Sequence, residues 1–203
     1  MPVLKRLLAQ TAIGAMVMVS LSGCDRSTRE IAVDHHTFRV PEKHLVKGSI
    51  PWLPASQHEG LSFVMNPEAS PQEQKIVGLG STQTTCNPQN PPTSNMLSSA
   101  CAGAEKSSSK ELGGDFRPEK VHPQDDPTQW AYRVRDAAGN YRTVATCFAL
   151  SDGKSGLCRS INSYKDLVYS VGLRDSEIQH LPEIWAKVRE MLASWEVGSG
   201  NNG

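Results

Sequence analysis

The chain has 203 residues, with 21 basic and 21 acidic side chains. A balance without basic excess argues against a protein that binds nucleic acid by neutralising phosphates. The length fits one domain with its own core, or a core domain carrying a long insertion. Five cysteines is an odd number, so at least one has a role other than pairing within the chain.

The first segment has the three parts of an export signal. Lys5 and Arg6 form a positive start, and Leu7 to Leu21 is mostly apolar. Small residues Ser22 and Gly23 precede Cys24. The apolar run falls short of the roughly 20 residues of a membrane-spanning helix. Leu21-Ser22-Gly23-Cys24 resembles the lipobox of bacterial lipoproteins. That resemblance assigns residues 1–24 to a lipoprotein signal and makes Cys24 the lipidation site. It implies a protein held on the periplasmic side of a bacterial membrane by acyl chains, with the bilayer as its first partner. Asp25 directly after the cysteine resembles an inner-membrane retention signal of enteric lipoproteins. The choice between inner and outer membrane stays open. Loss of Lys5 and Arg6 leaves the mature chain slightly acidic.

With Cys24 lipidated, Cys86, Cys101, Cys147 and Cys158 remain. In an oxidising compartment four thiols read as two disulfides, with three possible connectivities. Cys86–Cys101 and Cys147–Cys158 are favoured, because each pair brackets its own turn-rich loop. The spacings contain no Cys-x2-Cys pair, which speaks against zinc.

Residues 25–35 are expected to be a flexible tether, since Asp25 to Glu30 is polar and shows no packing pattern. Residues 36–197 then form one domain of the α+β class: an antiparallel meander packed by a C-terminal amphipathic helix. Thr37 to Pro41 predicts a first strand with Phe38 and Val40 on one face. Gly48 to Pro54 reads as an extended loop, because Pro51 and Pro54 cannot donate to a ladder. Within it, Trp52 covers the core or offers a ligand platform. Gly60 to Met65 predicts a strand with Leu61, Phe63 and Met65 together, closed by Asn66-Pro67. Ile76 to Leu79 predicts another. Residues 81–127 are rich in Asn, Pro, Ser, Thr and Gly, and are expected to be an irregular insertion. A disordered stretch, a disulfide-pinned loop and a binding loop are all open readings.

Order returns at Trp130. Trp130, Tyr132 and Val134 alternate with Arg133 and Arg135, and Asp136 to Asn140 is a hairpin turn. The return strand, Tyr141 to Leu150, is expected to place Val144, Phe148 and Leu150 on one face. Leu157 to Ile161 predicts a third strand and Leu167 to Val171 a fourth. Ile178, Leu181, Trp185, Val188, Leu192 and Trp195 recur at helical period, which predicts one buried stripe. Pro182 divides this segment into a short helical turn and a main helix. Glu183, Lys187, Arg189, Glu190 and Glu196 are expected in solvent. Residues 198–203 read as a flexible tail.

Catalytic signatures are missing. The sequence holds no Gly-x-Ser-x-Gly elbow, no phosphate-binding Gly-x-x-x-x-Gly-Lys loop and no His-Glu-x-x-His pair. His35, His36, His44 and His58 are expected as surface histidines, with a metal site the sharper alternative. Asp125-Asp126 lacks the further oxygen ligands of a calcium loop. No metal, cofactor or catalytic residue is expected, and the chain reads as a non-enzyme.

Phe38-Arg39-Val40-Pro41, the Ile50-Pro51-Trp52-Leu53-Pro54 loop, Gly60-Leu61-Ser62-Phe63 and the disulfide-capable α+β body resemble the periplasmic immunity lipoproteins of type VI secretion lipase effectors. The resemblance spans residues 36–67. It implies a non-enzymatic inhibitor that binds a secreted lipase effector in the periplasm and blocks its active site or its access to the membrane. Trp52, Arg133 and Arg135 are the candidate anchors of such an interface, with an ordinary solvated sheet face the plainer reading of the arginines. The alternative function is an accessory or structural envelope lipoprotein of a secretion or conjugation apparatus.

Overall fold

A computed structural model describes residues 27–46, 60–86, 95–106, 116–123, 126–136, 139–151 and 155–199. The elements run in the order β1 (Thr28–Val33), β2 (His36–Pro41), β3 (Gly60–Val64), β4 (Ile76–Ser81), α1 (Thr82–Thr85), α2 (Asn95–Lys106), β5 (Glu119–Val121), β6 (Gln129–Arg135), β7 (Tyr141–Ala149), β8 (Gly156–Tyr164), β9 (Leu167–Arg174), α3 (Leu181–Trp195) and β10 (Glu196–Ser199). Short 3-10 turns lie at Glu42–His44 and Asp175–His180. All strand pairs are antiparallel, in two sheets ordered β1-β2-β10 and β3-β4-β9-β8-β7-β6-β5. This is the α+β class that the alternating segments and the terminal helical period predict.

The helix α3 sits where its apolar stripe puts it. Leu181, Trp185, Val188, Leu192 and Trp195 are buried, together with Ile184 and Met191. Ile178 is buried on the preceding 3-10 turn, so Pro182 does separate a short turn from the main helix. The stripe packs on the inner face of the large sheet, where Phe63, Val77, Tyr169 and Val171 are fully buried. Val33, Phe38 and Val40 bring the small sheet into the same core.

Four expectations need correction. Residues 28–33, expected as tether, form β1. Ile31 and Val33 supply a period-2 face, and β2 offers a partner across a two-residue turn at Asp34 and His35. Residues 81–127 are not wholly irregular, since they hold α1, α2 and β5. The helix α2 escaped notice because only its small apolar side, Met96 and Ala100, is buried, against Ile161 and Val168. Ser199, expected in the tail, pairs with His36.

The fourth correction concerns β7. Tyr132 pairs with Ala145 but Arg133 pairs with Thr143, so Val144 is an extra residue in a β-bulge. The bulge reverses the phase of the strand. Val144, Ala145 and Cys147 are buried, whereas Phe148 is 50% and Leu150 36% exposed. Ser160 on β8 secures the bulge: its hydroxyl donates to the Val144 carbonyl at 2.7 Å and accepts from Trp185 Nε1 at 3.1 Å.

Both favoured disulfides are present, Cys86–Cys101 and Cys147–Cys158. Cys86–Cys101 ties the end of α1 to α2. Cys147–Cys158 joins directly opposed residues of β7 and β8. Nearby, Trp130 Nε1 and the Tyr132 hydroxyl both donate to Asp175 Oδ1, at 3.0 and 2.6 Å, and lock β6 to the 3-10 turn.

Replacing Ser160 with Ala leaves both the bulge carbonyl and the Trp185 indole N–H without their partner. The expected cost is about 1–3 kcal/mol of unfolding free energy. Urea titration checks it, and an unchanged midpoint would show that neither group depends on the hydroxyl.

Candidate binding groove

The side chains of the large sheet divide by strict alternation. Positions 167, 169, 171 and 173 of β9 face α3, which leaves Val168, Ser170, Gly172 and Arg174 on the other side. The pairings carry this outer set across the sheet. Ser170 lies between Gly78 and Ile161, and Gly172 lies opposite Arg159. Phe148 and Leu157 continue it on β7 and β8 because of the phase reversal at Val144.

The result is a groove with a floor of very small residues. Ser62, Gly78, Gly80, Ser170 and Gly172 line it. One end is walled by Thr85 and Leu97 from α1 and α2, held by Cys86–Cys101. The other end is walled by the turn at residues 70–75. Phe148, Leu150 and Leu157 give an apolar side, and Arg159 and Arg174 are exposed cations beside it. The groove measures about 1350 Å3. That exceeds the roughly 300–1,000 Å3 of a small-molecule pocket.

The wall at 70–75 is pinned by charge. Lys75 pairs with Glu177 of the 3-10 turn. Arg174 donates to the Gln72 carbonyl at 3.3 Å. Burial works to raise the Glu177 pKa, but the Lys75 hydrogen bond, the Arg174 backbone N–H and both cationic charges outweigh it and hold the carboxyl below its ordinary value.

Among the described residues that line the groove there is no histidine; its carboxylates are Glu73, which accepts from the Ser70 hydroxyl at 2.7 Å, and Glu177. Cys158 is bonded to Cys147 and offers no thiolate. Among the sequence-derived candidates, Cys24 and Trp52 lie outside the described residues. Arg133 and Arg135 are exposed on β6, as their alternation predicts. Arg135 is engaged with the neighbouring strand, donating to the Tyr141 hydroxyl at 2.8 Å and stacking on its ring. Neither arginine lines the groove. No helix among the described residues is long and apolar enough to cross a membrane.

Sequence reasoning missed the groove itself. A signal was available: Gly78, Gly80, Ser170 and Gly172 alternate with large apolar residues on β4 and β9. Small residues at the consecutive outward positions Gly78 and Gly80 on β4, and Ser170 and Gly172 on β9, mean a floor stripped of side chains there.

The histidine expectations also fail at one point. His36 is only 2% exposed. Its Nδ1 lies 2.7 Å from Glu196 Oε1 and its Nε2 2.7 Å from Asp166 Oδ1. Glu196, expected in solvent, is equally tied down. Burial opposes its charge, but hydrogen bonds from Lys165, His36 and Tyr164 hold its carboxyl down at about 2. The cause of both misses is β10, which returns the chain along β2 directly after α3.

Because the Glu177 carboxyl is held below its usual 4.5, its contribution is complete above that pH and is lost as pH falls through the lower folded value. The Glu73 and Gln74 amides, which donate to the Ser70 carbonyl in the wall, should lose exchange protection in that window. Glu177→Gln should remove the pH dependence and leave these amides weakly protected throughout. Protection factors from hydrogen exchange decide this.

The sequence matches no protein-family model and no curated protein. Among solved structures it is similar to an immunity protein of the Stenotrophomonas maltophilia type IV secretion system, with a TM-score of 0.45 and 10% identity, over 84% of this chain and 94% of that one. At this degree of likeness neither activity nor partner transfers from one chain to the other.

Proposed function

We propose that this chain is a lipid-anchored, non-enzymatic binding protein on the periplasmic side of a bacterial membrane, acting as an immunity protein that holds a secreted lipase effector through the outer face of its large sheet. The observation that carries this reading is the groove: a wide, side-chain-poor floor with apolar and cationic margins. An occupant can lay backbone against glycine and serine while Phe148 and Leu157 bury apolar area. Exposed aromatics and arginines are the residue types enriched at protein interfaces. The lipobox-like Leu21-Ser22-Gly23-Cys24 supports the anchor, and the resemblance over residues 36–67 supports the class of partner.

The start of β1 at Thr28 sharpens the geometry of such an anchor. Only Asp25, Arg26 and Ser27 separate Cys24 from the first strand. That chain reaches about 14 Å at full extension. A domain so tethered stays against the bilayer, where a lipase must work.

Two experiments test the proposal. Co-expression in the periplasm with the product of an adjacent lipase-like gene should protect the host, and replacing Cys24 with Ser should abolish acylation and weaken protection. Host killing by the lipase in the presence of the wild-type chain, with no complex on co-purification, would sink the inhibitor reading. The groove is tested by Gly172→Leu. A Cβ at Gly172 meets nothing within 4 Å, so the larger side chain enters the groove without disturbing the fold. Glycine inside a strand is intrinsically weak, so stability should hold or rise slightly. Complex formation should fall at least about tenfold, roughly 1.4 kcal/mol, by pull-down or calorimetry. Unchanged affinity would place the interface elsewhere.

A further inference from the structure

Away from the groove, two hairpin turns meet where the small sheet joins the large one. The first, Asp34 and His35, links β1 to β2. The second, Lys165 and Asp166, links β8 to β9. Asp34 and Lys165 both have positive φ, at 55° and 51°. That left-handed conformation is uncommon without glycine and costs on the order of 1 kcal/mol per residue. The two turns thereby bring His35, His36 and Asp166 together, and the ligand-capable atoms of all three lie within 4.8 Å of one another.

The orientation of the rings is specific. His36 Nε2 lies 2.7 Å from Asp166 Oδ1, and His35 Nε2 lies 3.1 Å from Asp166 Oδ2. The opposite nitrogen of each ring faces a different carboxylate. His36 Nδ1 is 2.7 Å from Glu196 Oε1, and His35 Nδ1 is 3.6 Å from Asp34 Oδ1. Glu196 is further saturated by the Tyr164 hydroxyl at 2.7 Å and by Lys165 Nζ, so it is held as an outer partner. Two imidazoles that converge through Nε2, each backed by a carboxylate at Nδ1, form the arrangement that fixes tautomer and ring direction around a bound metal.

We propose that His35 Nε2, His36 Nε2 and the Asp166 carboxylate form a binding site for a divalent transition ion of the zinc class, with Glu196 and Asp34 as its outer-shell carboxylates. Two nitrogens and one oxygen suit such an ion, which takes four ligands at about 2.0–2.2 Å and leaves one position for water or a partner's side chain. The ligand atoms of a tetrahedral ion lie about 3.3 Å apart, so the 2.7 Å His36–Asp166 contact would open by about 0.6 Å. Charge also closes. The ion and Lys165 carry three positive charges in sum, against one negative charge each on Asp34, Asp166 and Glu196. The same ion would bridge the two sheets, since His35 and His36 belong to the β1–β2 hairpin and Asp166 to the β8–β9 hairpin. This site is independent of what the groove binds.

The test uses the full-length protein, without a histidine tag, purified in detergent and stripped with chelator. Calorimetric titration with Zn2+ should show one ion bound per chain, and Zn2+ should raise the melting temperature. Co2+ in its place should give a visible absorption band of tetrahedral intensity. His35 is 37% exposed at its side chain, so His35→Ala should keep the wild-type melting temperature in chelator yet lose the Co2+ band and bind Zn2+ at least about tenfold more weakly. Asp166→Asn should do the same and serves as the second variant. Absence of stoichiometric Zn2+ binding by the wild-type chain overturns the proposal. So does full-strength binding by both variants, which would place the ion on other residues.

Discussion

The burial of one helical stripe settles where everything else in this molecule can go. Fifteen residues of α3 make a rod about 22 Å long. Seven strands at roughly 4.8 Å spacing place the outermost ones about 29 Å apart. A single helix therefore covers the middle of one sheet face and leaves its margins, which the small sheet fills with Val33, Phe38 and Val40 and the 3-10 turn fills with Ile178. The larger apolar cluster of the described residues lies on that side. On the other side, among the described residues, the short α2 covers Ile161 and Val168. Among the described residues the rest of the outer face is open, and the residues along it decide whether it is a liability or a surface for use.

The β-bulge at Val144 adds the second half of that outcome. Without it, Phe148 would share the phase of Val144 and point toward the core. With it, β7 turns Cys147 inward to meet Cys158 and turns Phe148 outward beside Leu157. One extra residue thus supplies both the disulfide partner and the apolar margin of the groove. Its stability depends on Ser160, a polar group in the core that is acceptable because both of its contacts are hydrogen bonds. The indole of Trp185 completes the chain from α3 through β8 to the bulge, so the helix that closes the core also fixes the register of the strand beyond it.

What the sequence discloses follows from how local each signal is. The α3 stripe was legible because six apolar residues repeat at helical period with no competing pattern. The Trp130 strand was legible because three large apolar residues alternate with two arginines. The disulfides were legible from spacing, since each pair closes a short loop. The bulge was not, because nothing in Tyr141 to Leu150 marks Val144 as the residue without a partner across the ladder. The helix α2 was not, because Ser, Gly and Ala hide a contact surface made of Met96 and Ala100. The burial of His36 and Glu196 was least accessible of all. It arises from pairing between residues 160 positions apart, and both residues sit in segments whose local composition points to solvent.

The two candidate sites are therefore opposite in construction. The groove exists because side chains are missing: Gly78, Gly80 and Gly172 leave backbone exposed on the face that α3 does not cover. The histidine cluster exists because charge is in surplus: two rings, three carboxylates and a lysine crowd into the joint between two hairpins. Apolar burial explains the first without further help, since among the described residues α3 takes the inner face and α2 packs on Ile161 and Val168 of the outer one. It does not explain the second, because bringing so many ionisable groups out of water costs free energy unless each finds a partner. Every ring nitrogen there does face an acid, and both non-glycine turn residues accept strained backbone angles to make it so. A joint needing only mechanical closure could be built more cheaply from the valines and phenylalanines that flank it, so the arrangement of the histidines points to a ligand rather than to packing.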